Sequence, residues 1–444
     1  MKPSNNASGY YPVKVIQELQ SRGVVIPVPE QVAIQQDVQL ERISSGVILY
    51  PFTRLSGSQT RLFPNARIGL NGPATLNNSV VGSNSVIGEL GPVTLKNTWV
   101  GPNSILGSGV AEDAVFLGRE EFLSDLTTGM GFRVRKGSLY EEDASSAQHT
   151  DTKMTILFPW VTMGSNINFC DALVAGGTGL NLGEFTEIGS GTIHFNFTLR
   201  GDKATASLLG DVPNGIFLRE ERIFIGGNNS LLGPLSCPFG AFTAAGIRVA
   251  GKLENGLNLG RGLPTGKMDY NPKIFTRAKH IMNSQINYVG QLDAMFHWYD
   301  KIRMFIARNN EEQRGSYQAG QAVIQRNIEE RIKQIEHFVN SLEDSVQILS
   351  QQVLPPKNSI EEQKNIMKHW PKLKNKLLDY QDHVWNVPNT LTNELENLSL
   401  EHGNRYTRLI QNLSHESVAF GNSWLSSIVH RAEHLFHNEV LHKI

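Results

Sequence analysis

The sequence predicts a mainly β protein with an added α region: a parallel β-helix of hexapeptide repeats, followed by a C-terminal helical bundle. Apolar residues recur six positions apart, as in the series Val81, Ile87, Val93 and Trp99. Glycine directly follows several of the repeated apolar residues. After residue 263 glycine becomes sparse, and apolar residues take the spacing of helices. These three observations set the fold class.

A six-residue period is typical of a β-helix in which three repeats make one triangular coil. One apolar side chain per repeat points into the coil and stacks on its equivalent in the next coil. The following residue lies at a corner, where glycine allows a tight turn. A β-sandwich with glycine-rich turns is the alternative, but its turns would come about every 8 to 12 residues.

The chain divides into three predicted regions. Residues 1–42 form an N-terminal cap, with a helix over residues 13–22 that ends at Gly23. Residues 43–262 form the β-helix, and the cap covers the end that a stack of coils would otherwise leave open. Within it, residues 119–155 break the repeat with charged and small residues, so we expect an external loop there. Residues 263–444 form the helical domain.

An apolar seam identifies one long helix in the C-terminal domain. Its residues are spaced alternately four and three apart, and Pro355 and Pro356 follow it: Ile328, Ile332, Ile335, Val339, Leu342, Val346, Leu349 and Val353. The sequence favours one amphipathic helix packed on its neighbours over a coiled coil between subunits. Three more helical stretches follow, at 359–385 with Pro371 interrupting or kinking it, at 389–413 and at 415–442.

Composition bounds the class of function. The 444 residues are 40% hydrophobic and 19% charged, with a formal net charge of −1, so no global field attracts nucleic acid or an anionic membrane. The two cysteines, Cys170 and Cys237, lack metal-ligand spacing and predict free buried thiols. No apolar run reaches the roughly 18 residues of a membrane span, and we expect a cytoplasmic protein.

Two segments carry a resemblance to a known family. They read GSGTIHFNFT at residues 189–198 and IFIGGNNSLLGPLSCPFGAFTAAG at residues 223–246. The sequence here resembles the acetyltransferase domain of the bifunctional N-acetylglucosamine-1-phosphate uridyltransferase/glucosamine-1-phosphate acetyltransferase. The resemblance implies a left-handed β-helix, homotrimers with sites between adjacent prisms, an acetyl-CoA or other acyl-CoA cofactor, and an amino-sugar phosphate or nucleotide sugar as partner.

The resemblance also implies a set of cofactor contacts. Phe197 replaces a tyrosine of the family, Gly227 replaces a serine, and the loop that carries Lys203 is longer than in the family. The implied contacts are Ser190, Asn196, Phe197, Lys203, Gly227, Ala245 and Arg261.

The proton acceptor is where the sequence departs from the family. The family's catalytic histidine aligns with Leu173, and its sugar contacts align with Gly176 and Glu187. General-base catalysis contributes typically about 10²–10⁴-fold, and leucine cannot provide it. His194 is the nearest substitute, two residues before Asn196 on the same strand face. It is either the general base, with Asn196 orienting the thioester or substrate, or a structural histidine at the edge of a coil.

The nucleotide-transfer half of the bifunctional family has no counterpart here. Its glycine-rich nucleotide loop is missing from residues 1–120. The segment GDVPNGIFL at residues 210–218 is similar to a group commonly labelled UDP-N-acetylglucosamine pyrophosphorylase. Three hypotheses follow: acyl-CoA-dependent transfer to an amino sugar, a catalytically inactive scaffold, and a nucleotidyltransferase-related protein without its own nucleotide motif.

Three weaker patterns have structural explanations. GLPTGKM at residues 262–268 is one residue short of a phosphate-binding loop and lacks its Ser or Thr, so it is interpreted as a linker. His430, His434 and His437 could face a metal, but their spacing is typical of a solvated helix face, and no metal site is predicted. Tryptophans in the tail are interpreted as bundle core: Trp370, Trp385 and Trp424.

Overall fold

A computed structural model of the chain describes residues 9–120, 125–196, 199, 201, 204–260, 266–267 and 270–441. Contacts divide the chain into two compact units. The first holds residues 1–168 with 309–320, and the second holds 169–308 with 321–444. The predicted boundaries at residues 42 and 262 concern changes in the type of structure. The division into compact units falls instead between residues 168 and 169, so those boundaries stay predictions.

Both units contain coils of a parallel β-solenoid, about 11 turns in all, and a helical region follows. The predicted fold class is therefore confirmed, while the left-handed sense stays a prediction. The strands are β1 Ala33–Ile34, β2 Ile48–Leu49, β3 Arg54–Ser56, β4 Arg61–Leu62, β5 Arg67–Ile68, β6 Ala74–Asn77, β7 Val80–Val81, β8 Val86–Ile87, β9 Val93–Lys96, β10 Trp99–Val100, β11 Ile105–Glu112, β12 Val115–Phe116, β13 Thr128–Val134, β14 Leu139–Tyr140, β15 Ser145–Ser146, β16 Asp151–Leu157, β17 Thr162–Met163, β18 Asn168–Val174, β19 Glu187–Ile188, β20 Ile193–Phe195, β21 Ser207–Leu209, β22 Phe224–Ile225, β23 Ser230–Cys237, β24 Ala241–Thr243, β25 Arg248–Lys252 and β26 Gly256–Asn258.

Register in the first unit gives the length of a coil. Ile48 pairs with Arg67, Arg67 with Val86, and Val86 with Ile105, so equivalent residues lie 19 apart. Three strands fill each step, as β5, β6 and β7 do before β8 begins. The predicted coil of three short repeats is correct to within one residue per turn.

Stacked side chains fill the interior of these coils. Leu49, Ile68, Ile87 and Leu106 occupy one position on successive coils, and each has no exposed surface. Burial of an aliphatic side chain contributes about 1.5–3 kcal/mol, so this stack is a main source of stability. The predicted core position is therefore confirmed for Val81 and Ile87. It is wrong for Trp99, which is half-buried and pairs with Val80, while Val100 takes the interior position in line with Val81.

Asparagines stack at one corner of the first unit. Asn65, Asn84 and Asn103 all have left-handed backbone conformation, with φ of 62°, 57° and 56°. The Asn65 side-chain amide donates to Asn84 Oδ1 at 3.1 Å, and Asn84 donates to Asn103 Oδ1 at 3.3 Å. Asparagine tolerates this conformation and forms local hydrogen bonds. It therefore occupies solenoid corners at which the sequence predicted glycine alone.

The predicted external loop at residues 119–155 is wrong. Strands β13 to β15 lie in this range, and β16 begins in it. The coils continue through it in parallel, with Val115 of β12 against Leu139 of β14 and Leu139 against Ile156 of β16. The acidic residues that suggested exposure are buried: Glu141 is 1% and Asp143 2% exposed. Asp143 forms an ion pair with buried Arg119 at 3.5 Å, which offsets the cost of burying its charge.

The N-terminal helix and both cysteines agree with prediction. Helix α1, Val13–Ser21, buries Ile16 and Leu19. Strand β1 pairs with β3, so the first coil begins inside the region assigned to the cap. Cys170 and Cys237 are buried free thiols, and burial raises the pKa of Cys237 to about 12.

The remaining helices are α2 Val212–Gly215, α3 Ala278–Trp298, α4 Met304–Ile306, α5 Glu311–Ser350, α6 Lys357–Leu378, α7 Asn389–His402, α8 Tyr406–Gln411 and α9 His415–Phe436. The seam of α5 is buried within the one chain from Ile328 to Leu342, which supports an amphipathic helix packed on its neighbours. Val353 lies beyond the helix and is exposed.

Helix α6 continues through Pro371. Trp370 and Trp424 are buried as predicted, and Trp385 is half-buried. Among the residues described, none of the helices is both long and apolar enough to cross a bilayer.

The first turns of α5 belong to the first unit and contact its coils. Glu312 accepts hydrogen bonds from the backbone N–H of Ser83 at 2.6 Å and from its hydroxyl at 2.8 Å. The Trp99 indole N–H donates to Ser316 Oγ at 2.7 Å. A Cβ at Gly315 would lie 2.3 Å from the Trp99 ring, so only glycine fits without movement.

Replacing Gly315 with alanine should lower the thermal midpoint. Overpacking costs about 1–3 kcal/mol, while the better helix propensity of alanine returns at most about 1 kcal/mol. Gln318→Ala, at an exposed position of the same helix, should not lower the midpoint. Trp99→Phe removes the ring atoms that clash, so Gly315→Ala should cost less in that background. Equal effects of Gly315→Ala in both backgrounds would contradict the proposed contact.

Candidate functional site

Three of the residues assigned to cofactor binding form one column on the solenoid of the second unit. Ile188 of β19 pairs with Ile225 of β22, which pairs with Thr243 of β24. Ser190, Gly227 and Ala245 each follow two residues later, so they lie on successive coils at the same corner. We call Ser190, Gly227 and Ala245 the cofactor column.

Backbone hydrogen bonds hold this corner in place. Asn228 N–H donates to Ser190 O at 2.7 Å, and Gly246 N–H donates to Gly227 O at 2.8 Å. Ser190 and Ala245 are exposed, and Gly227 is half-buried. A Cβ at Gly227 would meet Ser190 O at 3.0 Å, so the serine found in the family would be tight here. The column is therefore accessible to solvent, and backbone hydrogen bonds link its successive coils.

His194 lies inside the solenoid and not on this surface. It is 2% exposed. Its Nδ1 lies 2.5 Å from the backbone oxygen of Cys170, and its Nε2 lies 2.7 Å from Ser207 Oγ. A carbonyl oxygen only accepts, so Nδ1 carries the proton, and Nε2 of the neutral ring accepts from the Ser207 hydroxyl. Ser207 Oγ in turn accepts from Leu235 N–H at 2.9 Å.

This geometry favours the structural alternative for His194. Burial lowers its pKa, partly opposed by the hydrogen bond to Cys170, so the ring is neutral. Both nitrogens have protein partners, and Ser207 has no exposed surface. A general base must reach the proton that it removes. In the position shown, His194 reaches no solvent-borne amine.

Asn196 is held by a buried ion pair instead of facing the column. Its side-chain amide donates to Asp171 Oδ2, and Asp171 Oδ1 lies 2.7 Å from Nη2 of Arg331 on α5. Asp171 is 5% and Arg331 2% exposed. Burial raises the pKa of Tyr288, which lies in the electrostatic field of the same pair, so its hydroxyl stays protonated. Asn196 therefore anchors the end of β20 to the helical region.

The residues aligned with the acceptor side of the family site are largely buried. Leu173 has no exposed surface and pairs with Leu208 of β21. Gly176 has φ of 101°, a conformation that favours glycine, and Glu187 is half-buried on β19. Of these three, only Glu187 is a polar side chain with access to solvent. Phe197, Lys203 and Arg261 lie outside the described residues.

The segment at residues 210–218 serves as a docking element within the second unit. The Asp211 carboxylate caps α2 by accepting from Asn214 N–H at 2.9 Å, and burial raises the pKa of Asp211. Val212 N–H donates to Gln291 of α3 at 2.8 Å, and Asn422 of α9 donates to Asn214 Oδ1 at 2.6 Å. The motif thus connects the solenoid to two helices.

Sequence reasoning missed Asp171, Ser207 and Arg331. Asp171 has a left-handed backbone, with φ of 58°, at a position where solenoid corners elsewhere carry asparagine. That repeat position was the available signal for Asp171. Ser207 lies in a short strand and Arg331 in a heptad helix. The spacing of these residues in the sequence does not show that their side chains are buried.

Comparison with known proteins does not assign this chain to a family, so the class of protein is defined by its fold. The sequence matches no model of a known protein family, and it has no significant match among curated proteins. Within the part of the chain that the structure describes, no three histidine, cysteine, aspartate or glutamate side chains group as metal ligands. The chain is a parallel β-solenoid protein, consistent with hexapeptide repeats, with a C-terminal helical region.

Proposed function

We propose that this chain is a hexapeptide-repeat transferase of the sugar-nucleotide type, which binds an acyl-CoA along the cofactor column and acts on an amino sugar. The observation that carries the proposal is the column itself: residues far apart in sequence, assigned to the cofactor by resemblance, lie on one exposed corner. Homotrimeric assembly and a cytoplasmic location belong to the same proposal.

Two exposed cations on β25, the strand that follows Ala245 in the chain, favour an anionic cofactor. Arg248, three residues after Ala245, is exposed on β25, and Lys252 is exposed at the end of the same strand. Guanidinium and ammonium groups bind phosphates, which coenzyme A carries. Glu187, three residues before Ser190, has access to solvent and takes the sugar contact that the resemblance implies. His194 keeps a positioning role inside the solenoid.

A second candidate is a catalytically inactive scaffold. It is favoured by the burial of Leu173 and His194, the two positions available for a proton acceptor by alignment or proximity. It also fits the use of the 210–218 segment as a connection to α3 and α9. The two candidates differ in one measurable property, which is the binding of a thioester cofactor.

Calorimetry with acetyl-CoA tests the transferase proposal. We expect the wild-type protein to release or absorb heat on binding and to gain thermal stability at millimolar cofactor, because a ligand that binds the native state stabilises it. Ser190→Glu adds a negative charge to the column and should weaken binding about tenfold. Ser58→Glu, at an exposed turn of the first unit, is the matched control. Absence of heat and of any thermal shift would contradict the transferase proposal and leave the scaffold and the nucleotidyltransferase-related hypothesis.

A further inference from the structure

Two phenylalanines lie one above the other on an outer face of the second unit's solenoid. Phe224 of β22 pairs with Phe242 of β24, so their side chains occupy the same position on neighbouring coils. The next residues, Ile225 and Thr243, are buried. Because successive side chains of a strand point to opposite sides, both phenylalanines point outward, and each is half-buried. We call Phe224 and Phe242, together with Arg222, the aromatic strip.

Arg222 places a cation beside both rings. Its guanidinium carbon lies 5.4 Å from the ring centroid of Phe224 and 5.8 Å from that of Phe242. Both distances are within the range of about 6 Å for attraction between a cation and an aromatic ring. Ile223 has no exposed surface, whereas Arg222 is half-buried and lies on the same outer face as Phe224. The strip therefore combines two flat apolar surfaces with one positive charge.

The donor groups of Arg222 are available to a ligand. Among the residues that the structure describes, none forms an ion pair or a hydrogen bond with its guanidinium. Burial raises the pKa of the nearby Glu220 carboxyl, and Asp211 and Glu221 raise it further, with no lowering by Arg222. A Cβ at Gly240 would lie 2.2 Å from Glu221 Oε2, so that carboxylate lies against Gly240. A guanidinium without a counter-charge can bind phosphate oxygens.

The aromatic strip is continuous with the proposed sugar contact. Glu187 of β19 pairs with Phe224, so Glu187, Phe224 and Phe242 occupy one position on three successive coils. Neighbouring strands lie about 4.8 Å apart, so this row spans about 10 Å from Glu187 to Phe242. Each of the three residues lies three positions before a member of the cofactor column. The row and the column therefore run side by side across the same coils.

We propose that the aromatic strip binds the nucleotide part of a nucleotide-linked amino sugar whose sugar lies at Glu187. Arg222 donates to the diphosphate, and the base stacks on a phenylalanine ring, a contact that any base can make. A sugar monophosphate has no base to stack. Of the two acceptors that the resemblance implies, the strip therefore favours the nucleotide sugar. The inference rests on the proposed function, because the strip holds the acceptor of the acyl transfer.

Calorimetry with UDP tests the inference on the full chain, in the absence of acyl-CoA. We expect UDP to bind, and glucosamine 1-phosphate to bind at least about tenfold more weakly, because only UDP offers a base to the rings. Absence of UDP binding would overturn the inference. Glucosamine 1-phosphate binding as tightly as UDP would overturn it as well, since the base would then contribute nothing.

Two matched pairs of variants locate the UDP site. Phe242→Ala should weaken UDP binding about tenfold, as expected for the loss of one stacking contact, and Phe420→Ala removes an exposed phenylalanine of α9 as its control. Arg222→Gln should weaken UDP about tenfold and leave the affinity for uridine, which lacks phosphate, unchanged. Arg54→Gln, at an exposed position of β3, is the control for charge. Equal weakening by a variant and its control would contradict the assignment.

Competition separates the strip from the cofactor column, since acetyl-CoA also carries a nucleotide. Acetyl-CoA and UDP should bind to the protein together, because they occupy different rows of the solenoid. Mutual exclusion of the two ligands would overturn the assignment of the strip to the acceptor. Binding of acetyl-CoA without binding of UDP would contradict this inference alone, and binding of UDP without acetyl-CoA would contradict the transferase proposal alone.

Discussion

Replacing Arg331 with methionine should destabilise the second unit by about 3–5 kcal/mol, because it leaves the buried Asp171 carboxylate without its counter-charge. The pair lies at 2.7 Å, with side-chain exposures of 3% and 7%. Loss of one partner of a buried pair costs far more than the pair itself contributes. The measurement is the shift of the urea midpoint, followed by far-UV circular dichroism.

A second substitution shows whether the cost is the uncompensated charge. Asp171→Asn/Arg331→Met removes both charges, and asparagine suits the left-handed backbone at this position. We expect it to recover at least half of the loss. Lys374→Met breaks a more exposed ion pair at 2.7 Å, with Glu336 of the same helix α5, and should cost about 1 kcal/mol or less. An Arg331→Met midpoint equal to that of Lys374→Met would contradict the assignment.

The solenoid was predictable because its physics repeats. Each coil buries one apolar side chain per strand. Aliphatic residues therefore recur at regular intervals in the sequence, as at the buried positions Leu49, Ile68 and Ile87. The true coil length was also available. Asn65, Asn84 and Asn103 recur every 19 residues, and each lies at a left-handed corner. A search for asparagine together with glycine would have found this longer period.

The failure at residues 119–155 has a physical cause. Coil lengths become irregular there, with Val115 paired to Leu139 and Leu139 to Ile156, so no fixed period survives in the sequence. Charge was also misleading, because Asp143 is compensated inside the fold by Arg119. Burial of a charged residue depends on its spatial partner, and spacing along the chain does not identify that partner.

The candidate site was predictable only in part, for the same reason. Register alone brings Ser190, Gly227 and Ala245 together, and register follows from the repeat. The environment of His194 depends on Cys170 and Ser207, which belong to neighbouring strands. The sequence alone does not show whether a histidine on a short strand faces the solenoid interior or the solvent, because this depends on the strand register. Its burial decides between a base and a structural residue.

The buried state of His194 should make stability depend on pH. Burial lowers its pKa below the ordinary value of 6.5, so the unfolded chain binds a proton more readily than the folded chain. Where the unfolded state binds more protons, stability rises with pH. The contribution is therefore fully present above 6.5 and is lost as pH falls below it, by up to about 1.4 kcal/mol per pH unit.

Substitution separates the contribution of His194 to the pH dependence of stability from that of other titrating groups. His194→Asn should lower stability at neutral pH, because Ser207 loses its partner and a cavity forms, and it should flatten the fall in urea midpoint between pH 6.5 and more acidic values. His337→Asn, at an exposed position of α5, should keep the wild-type slope. If His194 instead faced solvent as a general base, the two variants would have the same slope and His194→Asn would lose activity without losing stability.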